Sequence, residues 1–123
     1  MNTIKIKHIG VFTSGGDSPG MNAALYAIAK SAEAKSIKTS GFRKGYEGLI
    51  DGDLISLKSH ELQKSLHQGG TVLKTARSKR FLELEGRKKA LQTIKANNVD
   101  ALIAIGGDGT FKGLLAFSES LQV

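Results

Sequence analysis

Apolar residues fall along this chain in two rhythms: short dense runs, and longer stretches in which they recur every three or four positions. Ile4 to Phe12 is a dense run. It gathers Ile9, Val11 and Phe12, then breaks at Thr13-Ser14-Gly15-Gly16-Asp17, which predicts a strand ending in a glycine turn. From Met21 to Lys35 the residues Ala23, Ala24, Ala27, Ile28 and Ala32 keep a period of about 3.6 residues and predict a helix. Ser36 to Phe42 predicts a short strand stopped by Lys44-Gly45. Leu49 to Leu57, with Asp51-Gly52 set between apolar residues, predicts a hairpin. Ser59 to Leu66 predicts a short helix ended by Gly69-Gly70, and Thr71-Val72-Leu73 is too short to assign. Phe81 to Ala96 predicts a helix with Leu84, Leu91 and Ile94 on one face, opposite Arg87, Lys88 and Lys95, and with Asn97-Asn98 as its stop. Ala101 to Ile105 is an uncharged run of the buried, parallel type. Gly106-Gly107-Asp108-Gly109-Thr110 then leads into a last helical stretch, Phe111 to Leu121.

The order strand, glycine turn, helix thus occurs at both ends of the chain. That alternation predicts an α/β fold: a doubly wound, largely parallel sheet with flanking helices. A length of 123 residues suits one domain. The last helix has no stop signal before Val123, so the expectation is a domain that continues beyond it.

Composition narrows the partners. The net charge is +7, from 18 Lys and Arg against 11 Asp and Glu, which favours anionic ligands. The basic residues are scattered, only Arg77-Ser78-Lys79-Arg80 being compact, and aromatics make up just 6%. A small phosphorylated ligand therefore ranks above nucleic acid. With no cysteine, neither disulfides nor a Cys-ligated metal can form. No apolar run is long enough to cross a bilayer, and Met1 to His8 has no apolar core behind it, so no membrane span or secretory leader is expected. A cytoplasmic location is the default expectation.

In an open α/β sheet, ligands bind beyond the carboxyl ends of the strands, and both glycine turns would sit on that edge. Glycines let backbone N–H groups approach an anion, and the following helix adds its positive end. Each turn carries an aspartate, Asp17 or Asp108. A carboxylate beside phosphates makes chemical sense if Mg²⁺ bridges them. Against this, a single glycine turn is more often only a turn, and Asp before Gly is a common turn pair; the occurrence of two on one edge shifts the balance. Gly107, Gly109 and Gly113 loosely follow a dinucleotide fingerprint, but the spacing is one residue too long, and no P-loop is present. Arg77 offers a planar guanidinium that could bridge phosphate oxygens; the alternative is a solvated cluster with Lys79 and Arg80. Tyr46 reads by pattern as a core aromatic, with a wall against a nucleotide base as the other possibility. His8, His60 and His67 lack metal-ligand spacing, and no nucleophile–base arrangement is evident.

Four segments together resemble one family. Ile9-Gly10-Val11-Phe12-Thr13-Ser14-Gly15-Gly16-Asp17-Ser18-Pro19-Gly20-Met21-Asn22-Ala23 resembles the opening of the 6-phosphofructokinases. Gly41 to Leu49, with its core Gly45-Tyr46-Glu47-Gly48-Leu49, Gly69-Gly70-Thr71-Val72-Leu73-Lys74-Thr75-Ala76-Arg77 and Ala104-Ile105-Gly106-Gly107-Asp108-Gly109-Thr110 resemble later family segments, in the family's order. Gly-Gly-Asp-Gly-Thr alone also occurs in NAD kinases and diacylglycerol-type lipid kinases, so these, or a non-catalytic nucleotide-binding module, are the alternatives.

The resemblance implies transfer of the ATP γ-phosphate to fructose 6-phosphate, giving fructose 1,6-bisphosphate in glycolysis. It implies that Gly16 approaches the ATP phosphates, Tyr46 lies by the nucleotide, and Arg77 stabilises the transferring phosphate. Gly107, Asp108, Gly109 and Thr110 would cradle ATP, Asp108 would hold Mg²⁺, and Gly113 would leave room for the nucleotide. Ser78 occupies a nucleotide-side position that often carries an aromatic. Gly109 favours ATP over pyrophosphate as donor, while Lys74 stands where many ATP-using members have Gly. Positions matching the bacterial effector site carry Tyr26, Lys30 and Ser59, of which only Lys30 is cationic, so the usual nucleotide response is not expected. On this reading residues 1–123 are the leading part of the ATP-binding domain. The sugar-binding and proton-accepting segment lies past Val123, the chain alone has no kinase activity, and the full-length protein is a homotetramer.

Overall fold

A computed structural model of the chain describes residues 5–15 and 20–121. Four strands form one sheet in the order β3-β2-β1-β4: β1 His8–Thr13, β2 Lys38–Phe42, β3 Leu54–Ser56 and β4 Ala101–Ile105. β1 runs parallel to β2 (Val11 beside Gly41) and to β4 (Val11 beside Ile103), while β3 is antiparallel to β2. The predicted α/β class and largely parallel sheet are therefore present.

Strand alternation sends side chains to two faces. Val11, with Ile9, Ile103 and Ile105, packs on Leu25 and Ala29 of α1 (Met21–Ala34), on Leu62 of α3 (Ser59–Leu62), and on Leu73. Phe12 and Phe42 point the other way. They pack on Tyr46, Leu49 and Ile50 of α2 (Tyr46–Asp51), Ala90 of α4 (Leu84–Ala96) and Phe117 of α5 (Asp108–Leu121). The sheet is thus the middle of three layers.

Several expectations are corrected. Residues 49–57 do not form a hairpin. Tyr46, Leu49 and Ile50 are buried at helical spacing, and Gly52, at φ 73°, caps a short helix instead of turning a ribbon. Both devices need a left-handed glycine after an aspartate, so the dipeptide could not separate them. In α1 the buried stripe is Met21, Leu25, Ala29 and Ala32, whereas Ala23 and Ala27 are exposed. Alanine suits either face, so Leu25 decides the orientation. The helix predicted from Phe81 begins at Leu84, after a 3₁₀ turn at Arg80–Leu82 and an extended Glu83. Leu91 and Ile94 pack on the core as predicted, but Leu84, at the first turn, is 44% exposed, while Gly86 and Ala90 are buried and Arg87 is half-buried. Finally, β4 is half-buried throughout, because it is the edge strand of the described sheet.

Candidate nucleotide-phosphate site

β1 has β2 on one side and β4 on the other, so the chain leaves β1 in one direction and returns beyond it from the opposite one. This is a topological switch point, where a crevice opens at the carboxyl ends of the two neighbouring strands. Both glycine turns meet there. The Ser14 amide donates to the Ile105 carbonyl at 2.9 Å. Gly15 sits at φ 88°, and a Cβ added to it would lie 3.9 Å from the Gly107 nitrogen. At Gly106 a Cβ would come within 2.8 Å of the Ser14 carbonyl oxygen, so only glycine allows this approach. Gly16 and Asp17 lie outside the described residues.

From the two turns a cleft of about 990 Å³ extends along α5. Gly15, Gly107, Gly109 and Thr110 line it together with Arg77 and Ser78. Phe81, Leu82 and Arg87 face Lys112, Gly113 and Ala116 further along. Asp108 is exposed at the first turn of α5 and is not part of the cleft lining.

The segment bearing Arg77 is irregular but firmly rooted. Thr13 Oγ1 donates to the Lys74 carbonyl at 3.1 Å, so the Thr71 hydroxyl 3.0 Å away must donate to Thr13. The Val72 amide donates to Asn22 Oδ1 at 2.8 Å, and the Lys44 amide donates to the Leu73 carbonyl at 2.8 Å. β1, α1 and the β2–α2 junction therefore all hold the strip from which Arg77 projects. Arg77 is exposed, and it has no acidic partner among the described residues.

The compact basic cluster divides by role. Arg80 forks onto Asp51, with Nη1–Oδ1 and Nη2–Oδ2 both 2.9 Å, and also donates to Glu47 from Nε at 3.0 Å. These bonds hold both carboxyls below their ordinary range. Arg80 is thus spent within the protein, while Arg77 points at the cleft. Ser78 Oγ accepts the Phe81 amide at 3.2 Å and caps the 3₁₀ turn.

Tyr46 lies under the cleft rather than across it. It is 8% exposed, stacks on Phe81 at 3.9 Å between centroids and tilts on Phe12 at 4.8 Å. Burial raises its hydroxyl pKa to about 12. A Cβ on Gly113 would sit 2.7 Å from that hydroxyl. The space left by Gly113 is therefore filled at least in part by Tyr46.

Sequence reading overlooked Arg87 and Lys112. Arg87 donates from Nη1 to the Phe81 carbonyl at 3.0 Å, and its buried Nε has no partner among the described residues. Positions 86, 87, 90 and 94 of α4 form the inward stripe, whereas the sequence pattern, oriented on Leu84, put Arg87 on the polar face.

Among the described residues no three His, Cys, Asp or Glu side chains converge as a metal cage. A lone carboxylate beside a phosphate cleft nevertheless fits Mg²⁺, which characteristically takes one or two carboxylates plus substrate phosphates and water. The family model described as Phosphofructokinase matches residues 8–123. This chain belongs to the phosphofructokinase family. It is 48% identical over 114 residues to ATP-dependent 6-phosphofructokinase 1 of Thermus thermophilus, covering 93% of the chain and 35% of that relative. An ATP-dependent 6-phosphofructokinase of Alkaliphilus metalliredigens is 46% identical, with 93% and 36% covered. The chain therefore spans about a third of the length of these relatives. Among solved structures, Pichia pastoris phosphofructokinase in the T-state superposes with a TM-score of 0.88 at 38% identity, over 96% of this chain and 13% of that one. A pyrophosphate-dependent phosphofructokinase from Marinobacter aquaeolei shares the fold, with a TM-score of 0.78 at 21% identity over 93% of this chain and 29% of that one.

Proposed function

We propose that this phosphofructokinase-family chain forms the leading part of the ATP-binding domain of an ATP-dependent 6-phosphofructokinase. The observation that carries the reading is the single cleft shared by the two glycine turns and Arg77 at the switch point. The reaction transfers the γ-phosphoryl group of ATP to the 1-hydroxyl of fructose 6-phosphate. The bond to ADP breaks, a bond to the sugar oxygen forms, and the hydroxyl proton leaves to a base. Backbone amides at Gly15, Gly107 and Gly109, with the α5 N-terminus, supply positive potential for phosphate oxygens. Gly16 belongs to the same proposed cradle. Arg77 places a guanidinium against charge that grows as the phosphoryl group moves, and Thr110 and Ser78 add hydroxyls at the edges. Asp108 would hold Mg²⁺, which neutralises phosphate charge when bound.

The proton-accepting and sugar-binding residues implied by the resemblance have no counterpart in these 123 residues. Turnover therefore requires the longer protein, as does the proposed homotetramer. No helix among the described residues is long and apolar enough to cross a membrane.

The test is a coupled assay on the full-length protein with MgATP and fructose 6-phosphate. Turnover is expected, with Arg77→Lys lowering kcat by about a hundredfold or more, because an ammonium cannot span two oxygens as the planar fork does. An Arg77→Lys enzyme with wild-type kcat would remove Arg77 from the chemistry. Sugar-kinase turnover absent from the wild type would remove the reaction.

A further inference from the structure

Two walls make the candidate cleft, and one side chain touches both. The first wall is the strip ending in the 3₁₀ turn with Phe81; the second is the start of α5 from Gly107 to Gly113. The Tyr46 ring stacks flat on Phe81, 18° from parallel, and so abuts the first wall. The Tyr46 hydroxyl donates to the Thr110 carbonyl at 2.5 Å. It therefore sits beside the helical bond between Thr110 and Leu114, one turn inside α5, and touches the second wall. Gly113 makes the approach possible, since any side chain there would collide with the hydroxyl and ring.

We infer that Tyr46 is a positioning residue which fixes the spacing between the Arg77–Phe81 wall and the Gly107–Gly113 wall, acting on the nucleotide through α5 rather than by stacking on its base. The inference rests on the proposed function. With Phe81 on one face, Phe12 tilted against the ring and only 8% of the residue exposed, no ring face is available to a base. The ring instead belongs to the core layer that also holds Leu49 and Phe117. Its root is equally fixed, because α2 is tied to the first wall a second time through Arg80. Tyr46 thus joins three elements whose mutual distance sets how wide the cleft is.

A double-mutant cycle on the full-length protein tests this. Tyr46→Phe removes the tether but keeps the stack; Gly113→Ala wedges a methyl group between α5 and the ring. Each single change is expected to raise the KM for ATP about tenfold while kcat falls less than threefold, because a misplaced wall weakens nucleotide binding more than chemistry. The pair is expected to be strongly non-additive. With the hydroxyl gone, the new methyl has lost its nearest collision, so the double variant binds ATP no worse than Gly113→Ala alone. Additive losses, or unchanged KM in Tyr46→Phe, would overturn the inference. Amide exchange at residues 110–114 provides a readout that needs no turnover. It should quicken in Gly113→Ala, where the methyl meets hydroxyl and ring, and quicken less in the double variant, where only the ring stands in its way; equal exchange in wild type, Gly113→Ala and the double variant would also overturn it. Wild-type turnover reports separately on the function.

Discussion

At Lys74 the backbone takes φ 63°, the left-handed region in which a Cβ is crowded. In the sequence, Lys74 bore only on the identity of the donor, through the resemblance. In the fold the position has a conformational meaning: the chain must bend there to present its carbonyl to Thr13. A side chain in that region costs about 1–2 kcal/mol, while giving the unfolded chain a glycine's freedom costs about 0.4–1 kcal/mol. The strain outweighs the added freedom, so Lys74→Gly should raise stability by roughly 0.5–1 kcal/mol. A urea midpoint lower than the wild type's would refute this. Single residues were legible in the sequence where backbone geometry dictated them, as at Gly15 and Gly106. They were hidden where tertiary neighbours did so, as with Arg87, which the pattern oriented on Leu84 put on the polar face.

Between elements, the decisive link is the one from the 3₁₀ turn Arg80–Leu82 to α2. Arg80 spans Glu47 and Asp51, one helical turn apart on α2, with all three side chains at least partly solvated. Hydrogen bonding to Arg80 is the main cause that depresses both carboxyl pKa values. A carboxylate depressed on folding contributes stability that is complete above its ordinary pKa, near 4.5 for Glu47 and 3.8 for Asp51, and that fades as pH falls through the lower folded value. Acid should therefore loosen this link first. Arg80→Gln is expected to flatten the dependence of melting temperature on pH below about 4.5 and leave it unaltered near neutrality apart from a constant offset. Parallel curves for the two proteins across the acid range would show that the ion pairs contribute nothing. This link was not visible in the sequence, where Arg77 was singled out and Arg80 counted only as part of a solvated basic cluster. Nor was α2 itself, since a helix of six residues is shorter than the window over which periodicity can be judged. The two βα units at the chain ends were legible because each combines a long periodic helix with a glycine break.

Across the whole molecule, the two sides of the sheet end differently. β3 closes one edge antiparallel, while β4 is an edge strand with all five residues half-buried. On the neighbouring helix Phe111 and Leu115, one turn apart, are 54% and 59% exposed. A hollow of about 310 Å³ at the other end of β4 is lined by Ile94, Val99, Leu102, Leu114 and Phe117. An open parallel edge beside apolar helix surface invites association. The 123-residue chain on its own should therefore show a sedimentation coefficient that rises with concentration. A concentration-independent monomer that melts cooperatively would contradict this.

The pairing of β1 with β4 has one more consequence. Residues such as Ile9 and Ala101, neighbours in the sheet, are separated by roughly ninety residues of chain. At a synthesis rate of about 5–20 residues per second, the first turn waits about 5–20 seconds for its partner on the ribosome. During that interval the outer edge of β1 has no mate, and the anion cradle does not yet exist. The proposed cradle can therefore form only once the last described strand has emerged, and until then β1 is paired on one side alone.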